Sequence, residues 1–266
     1  GSYNQNEVGE IPTSDGIIHG ASNQLFDNSL EFYRAQSGFP IGYFWGLETD
    51  GIFQNEAEVA AHSTGEGLIQ PDAQPGDVRY IDQNNDGIIN DNDRIELGNP
   101  NPDFIFGFNI ALDYKGLDFS ILGSGVAGNQ IVQSYRNHAN QYANYTSEVL
   151  NRWHGEGTSN TMPRVTENSS NWLQFSDLYV KDGDYLRISN ITVGYDFKNL
   201  VPGEKFGKLR LYASVLNAFT FTNYTGMDPE IGYGIDNGET DRFSSGIDLG
   251  YYPRPRTIMV GLNVSF

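Results

Sequence analysis

Residues 257–266 read TIMVGLNVSF, and the alternation within them decides the fold. Ile258, Val260, Leu262, Val264 and Phe266 fall on one face. Thr257, Gly261, Asn263 and Ser265 fall on the other, and only Met259 breaks the pattern. Period-two alternation over about ten residues specifies a strand with one face buried. In a transmembrane barrel the apolar face meets lipid and the polar face meets a wet lumen. In a soluble sandwich the same apolar face meets a protein core, and this strand alone fits both.

The strands upstream separate the two readings. Phe104, Phe106, Phe108, Ile110, Leu112 and Tyr114 share one face, opposite Asp103, Gly107, Asn109, Ala111 and Asp113. Lys115-Gly116 then gives a two-residue hairpin that pairs Tyr114 with Leu117, Leu112 with Phe119 and Ile110 with Ile121. Ile191, Val193, Tyr195 and Phe197 form a further strand, while Leu186 and Ile188 sit on the opposite parity, which predicts a bulge near Ser189-Asn190. Leu209, Leu211, Ala213 and Val215 lead on to Phe219 and Phe221 after a short link that carries Pro202-Gly203. Ile41, Tyr43, Trp45 and Leu47 read as another strand, and the first ten residues as the end of one more. Connections alternate in length. Residues 115–116 and 198–207 are short, while 54–99, 127–182 and 222–253 are long and polar. Short turns on one side and long loops on the other are the pattern of an outer-membrane barrel. Aromatics at both ends fit interfacial girdles, with Tyr114, Phe197 and Phe266 on the short-turn side and Phe219, Phe221, Tyr251 and Tyr252 on the other.

Composition supports an all-β chain. Of 266 residues only 38% are hydrophobic, yet 13% are aromatic and 31 are Gly, which suits strands joined by turns. The formal net charge of −18 excludes nucleic acid as a natural partner, because phosphate binding needs a basic face. With no cysteine, a disulfide framework and thiol chemistry are excluded. No apolar run reaches the ~20 residues of a spanning helix, and no signal peptide opens the chain, which starts GSYNQNEV.

One stretch carries chemistry. Residues 82–93, DQNNDGIINDND, place oxygen donors at Asp82, Asn84, Asp86, the Ile88 carbonyl, Asn90 and Asp93, with Gly87 at the sharp turn. This is the spacing of a calcium loop, with Asp where an EF-hand has Glu. An Asn/Asp/Gly turn kept for its backbone geometry has the same composition. The histidines His19, His62, His138 and His154 are too scattered to form a metal or catalytic set, and no nucleophile elbow or phosphate loop is present. Trp153, Trp172, Tyr135, Tyr142 and Tyr145 either stack on a ligand or pack their own loop together.

Several segments together resemble SusC/RagA-type TonB-dependent transporters of Bacteroidetes-like bacteria. They are GYFWGLETDGIF (42–53), PGDVRYIDQNNDGIINDNDR (75–94), GNPNPDFIFGFN (98–109), DGDYLRISNITVGYDF (182–197), LRLYASVLNAFTFTNYTGMDPE (209–230) and GIDLGYYPRPRTIMVGLNVSF (246–266). The resemblance covers residues 42–266 in the family's order and is loose before that. It implies the C-terminal part, about seven strands, of a plugged outer-membrane barrel of about 22 strands. The expected partners are the remainder of the transporter (plug and earlier strands), a SusD-like surface lipoprotein, TonB through the missing N-terminal part, membrane lipid, and an oligosaccharide or oligopeptide substrate. Catalytic residues are not expected. The competing reading is a stand-alone barrel with an adhesive or structural role, which predicts a complete strand set. A barrel enzyme ranks third, since it needs a convergent Ser/His/acid set.

Overall fold

The computed structural model describes the chain apart from residues 21–30, 135, 137–139, 141, 167–169, 201–206, 232–234, 237–238, 241–244 and 266. Its backbone is dominated by one antiparallel sheet of six strands: Ser2–Tyr3, Phe104–Tyr114, Leu117–Ala127, Tyr185–Asp196, Lys208–Thr222 and Thr257–Ser265. Each strand pairs with the next in chain order, so the sheet is an up-and-down meander. Among the described residues the two edge strands have no outer neighbour, and the sheet is an open arc of a barrel wall. No helix among the described residues is long and apolar enough to cross a membrane, which says nothing of strands.

The hairpin register is the one that the pattern dictates. Tyr114 faces Leu117, Leu112 faces Phe119 and Ile110 faces Ile121. Lys115 and Gly116 both take positive φ, 47° and 88°, as a tight two-residue hairpin turn requires. The bulge falls where parity switches, since Ser189 has no partner in the register with either neighbouring strand. Opposite it, Asn217 adopts φ 50°, which absorbs the extra residue on the facing strand. The first residues do add a strand end, Ser2–Tyr3, beside Phe104 and Ile105.

The apolar face of this wall is turned outward. Ile258 and Val260 are 72% and 73% exposed, and Leu112 and Tyr114 are 60% and 69% exposed. In water such a surface is a liability, whereas in the hydrocarbon layer it is the natural exterior of a barrel. Phe106 and Phe108 lie across Gly125 and Gly123 of the next strand, filling the outer surface where those residues have no side chain. Phe219, Phe221 and Tyr252 are exposed at the long-loop end and Tyr114 at the hairpin end, as girdles require. Phe266 and the Pro202-Gly203 link lie outside the described residues.

One strand assignment is corrected. Tyr43–Leu47 is a strand, but it belongs to a separate four-stranded sheet with Ile17–His19, Tyr33–Gln36 and Arg94–Gly98. Among the described residues the wall therefore holds six strands, where the resemblance implies about seven. The physical reason is burial on both faces: Tyr43, Phe44, Gly46 and Leu47 are all buried, which a strand between lipid and lumen does not permit.

The long connections fold together on one end of the wall into a compact cap. Phe32, Tyr33, Phe44, Val132, Phe175, Tyr179 and Ile247 make its main core. The rings of Phe32 and Phe175 stack at 4.6 Å, and Phe175 and Tyr179 at 5.7 Å. Leu47, Val78 and Tyr80 form a second, smaller cluster. A three-stranded sheet joins two of the connections, with Gln130–Gln133 between Val180–Asp182 and Ile247–Asp248. A short helix, Glu56–Ala61, is capped by the Asn55 side chain on the Glu58 N–H.

Candidate functional site

Loop 82–93 is held by its own side chains. Asp82 accepts the Asp86 N–H at 3.2 Å through Oδ1 and the Gly87 N–H at 2.8 Å through Oδ2. Asn84 Oδ1 accepts the same Asp86 N–H at 2.9 Å, and Asp86 Oδ1 accepts the Ile88 N–H at 3.1 Å. The amides of Asn84 and Asn90 both donate to Asp86 Oδ2, at 2.9 and 3.3 Å. These bonds, the Asn84 amide foremost, hold the Asp86 carboxyl below the usual carboxylate range. Asp93 is fully buried and closes the loop, accepting the N–H groups of Gln83 at 3.0 Å and Asn90 at 2.7 Å. Asn85 at φ 59° and Gly87 at φ 86° make the sharp turn, and the Ile88 side chain is exposed. All six residues singled out by the spacing thus sit in one loop. Yet among the described residues no group of three or more acidic or histidine side chains is arranged to hold a metal. The donors satisfy one another instead.

The cap around this loop is pinned by polar networks that join distant segments. Asp77 accepts the guanidinium of Arg164 at 2.6 and 3.0 Å, the Asn171 amide at 2.9 Å and the Gln74 N–H at 2.9 Å. Asn171 in turn accepts the Val78 N–H at 2.8 Å. A buried carboxylate so fully bonded fixes the 75–80 segment against the 164–171 segment. Asp177 accepts the Thr49 hydroxyl at 2.8 Å, and burial pushes its carboxyl above the usual range. Trp45 is flanked by two guanidinium groups, Arg34 at 3.4 Å and Arg94 at 5.0 Å from the ring centroid.

The cap meets the wall at Arg187. This side chain, nearly fully buried on the strand Tyr185–Asp196, pairs with Asp228 and approaches Glu230 at 3.6 Å. Glu230 also accepts Arg254 at 2.8 Å. Further down the same face, Asn190, Thr192 and Ser214 bond to one another at 2.8–3.1 Å. Beyond them Arg210 crosses Gly194 to grip Asp118 on the next strand but one. The face opposite the apolar one is therefore polar and internally bonded, as the wall of a wet lumen should be.

Loop 82–93 was legible from spacing alone. Asp77, Arg164, Asn171, Arg187 and Asp228 were not, because their partners lie far away in sequence or in a different connection. The only local signal was the acidic residue inside PGDVRYID, which carries Asp77. Of the aromatic candidates, Trp172 packs edge-on to Tyr179 at 5.5 Å, while Tyr142 and Tyr145 stay exposed. Tyr135 and His138 lie outside the described residues.

Comparison with known proteins fits this geometry. No protein-family profile matches the chain. The TonB-dependent receptor P3 of Formosa agariphila is 31% identical over 268 residues, spanning 100% of this chain and 26% of that receptor. The TonB-dependent receptor P26 of the same organism is 32% identical over 273 residues, again across 100% of the chain. The chain belongs to the TonB-dependent receptors. Within them, the TonB-dependent receptor SusC of Bacteroides thetaiotaomicron is 28% identical over 225 residues, covering 80% of the chain and 21% of SusC. A structure of the RagAB peptide transporter superposes on 99% of the chain and 26% of its own with TM-score 0.70 at 18% identity, which establishes the fold. The RagAB importer in an 'open-open' state gives TM-score 0.68. This TonB-dependent receptor segment thus spans about a quarter of its relatives, and its fold is that of an outer-membrane β-barrel with an elaborated loop end. The relatives are named as receptors and a peptide importer rather than as enzymes.

Proposed function

We propose that this chain is part of a SusC-like importer that takes oligosaccharides or oligopeptides across the outer membrane. The observation that carries the reading is the match over the whole chain to TonB-dependent receptors, joined by a match to SusC over 80% of it. The open sheet supports it, since unpaired strand edges are not tolerated in lipid and call for further strands of the same transporter. A plug and a TonB-contacting segment complete the machine, a SusD-like lipoprotein closes over the cap, and energy arrives through TonB. The chain's own contribution is a stretch of lipid-facing wall and a rigid cap at the substrate entrance. No covalent chemistry is involved. The test is uptake by cells that express the complete transporter, with and without TonB, together with affinity purification of its complex. TonB-dependent uptake and a co-purifying lipoprotein are expected. Uptake indifferent to TonB would sink the reading.

We further propose that loop 82–93 takes up one calcium ion. Support comes from the spacing of Asp82, Asn84, Asp86, Ile88, Asn90 and Asp93 and from the Asp82 bonds to the Asp86 and Gly87 N–H groups. The Asp82 and Asp93 oxygens and Asp86 Oδ1 each keep a lone pair beyond the N–H they accept, and Asp86 Oδ2 is freed once the Asn84 and Asn90 amides turn. The Asn84 and Asn90 amides must turn their oxygens toward the ion. Metal analysis of the purified transporter should find calcium that disappears in the Asp82→Ala, Asp86→Ala double variant. Identical metal content in both proteins would leave the loop as a turn.

A further inference from the structure

We propose that a cavity in the cap is a subsite for a ligand carboxylate, with the Lys181 ammonium as its counter-ion. The proposal rests on the importer reading and names a chemistry for part of its substrate. The cavity, about 280 Å³, opens between the 133–151 segment and the strand that carries Lys181. Its size suits one sugar unit or one or two amino-acid residues. Tyr145, Trp172 and Tyr179 give it an aromatic wall, and Arg136 lies over the Tyr145 ring at 4.1 Å.

Lys181 is the unexplained group. Its backbone is fixed opposite Ile131 in the three-stranded sheet, so the side chain has a defined place. Among the described residues its ammonium makes no hydrogen bond and no ion pair. Glu148 and Asp177 act on it only at longer range, and Asp177 is committed to Thr49. Burial pushes the Lys181 pKa down, the mark of a charge withdrawn from water. A structural ion pair for such a cation calls for a carboxylate in contact, and none is seated there among the described residues. A bound carboxylate completes the pair. Glu148, on the same cavity, is placed to accept a hydroxyl or N–H that accompanies the carboxylate on the ligand. The aromatic wall takes the flat apolar side of the ligand. A uronic-acid unit of a glycan and the C-terminus of a short peptide both offer this combination.

The complete transporter, purified in detergent, is titrated calorimetrically with trigalacturonate, maltotriose, trialanine and trialanine amide. One of the two acids is expected to bind more tightly than its counterpart without the carboxylate, and which acid does so identifies the source. Lys181→Met should cost that acid at least about tenfold in affinity. It should leave the compound without a carboxylate unchanged and should not lower the thermal midpoint, because the partly buried Lys181 makes no ion pair among the described residues. Lys181→Arg should restore binding. Equal binding of the acid to wild type and Lys181→Met, or no binding of either acid to wild type, overturns the subsite. TonB-dependent uptake that persists alongside flat titrations sinks the subsite alone, whereas uptake without TonB sinks the importer reading.

Discussion

The wall and the cap of this chain bury apolar side chains by opposite rules. In the wall, Ile258, Val260, Leu262 and Val264 point outward and are exposed. In the cap, Phe32, Phe44 and Phe175 are fully enclosed and stack on one another. The residue types are the same and the solvent differs. Lipid accepts an apolar side chain without close packing, because hydrocarbon fills whatever shape is left. A protein core demands complementary shape, because an unfilled gap forfeits its contacts. The wall therefore tolerates size changes and rejects charge, and the cap rejects both.

Four experiments test that contrast, from the largest expected effect to the smallest. Phe175→Ala empties the centre of the cap core and should cost about 3–5 kcal/mol. Limited proteolysis should then cut the cap while the wall stays protected; a cap as resistant as wild type would break the contrast. Val260→Arg, near the middle of Thr257–Ser265, should cost about 2–4 kcal/mol in bilayer refolding, while Val260→Ala should cost far less. Equal losses from the two would mean that this face packs on protein. Gly46→Ala should cost about 1–3 kcal/mol, because the added Cβ would sit 2.7 Å from the Phe175 carbonyl oxygen. Thermal melts of the cap should register it. Gly207→Ala, whose Cβ meets the Ser265 hydroxyl, should have a smaller effect.

The smallest effect is a pH dependence. Burial, with Arg79 second, holds His62 below its usual 6.5. The unfolded chain therefore binds this proton before the folded cap does. Cap stability should fall as pH drops below about 6.5 toward the lower folded value, and stay flat above. His62 lies edge-on to Phe53 at 5.4 Å, so His62→Gln keeps much of the volume while removing the titration. A melting curve for His62→Gln with the same acid slope as wild type would assign the slope elsewhere.

Much of the wall was legible because its information is local. Alternation along 104–114 and 117–121 and a two-residue turn fix the register with no long-range knowledge. The parity switch at Ser189 revealed the bulge for the same reason. Tyr43–Leu47 misled because alternate residues there are also apolar, but so are their neighbours, and only burial on both faces tells a cap strand from a wall strand. The 54–99, 127–182 and 222–253 segments read as polar loops because their average composition hides the few residues, Val132, Phe175, Tyr179 and Ile247, that meet from different segments.

The sequence by itself determined the long wall strands, the register of the hairpin at 115–116, the apolar face of the wall and the turn geometry of loop 82–93. Each depends on residues within a few positions of one another, where backbone periodicity and glycine conformation do the selecting. Only the tertiary structure decided that the long connections form one cap, that Asp77 is gripped by Arg164, that Arg187 ties cap to wall, and that Lys181 lines a cavity. Those pairings join residues 41 to 87 positions apart, and nothing in local pattern specifies which distant carboxylate meets which cation. Chain closure and packing make that choice.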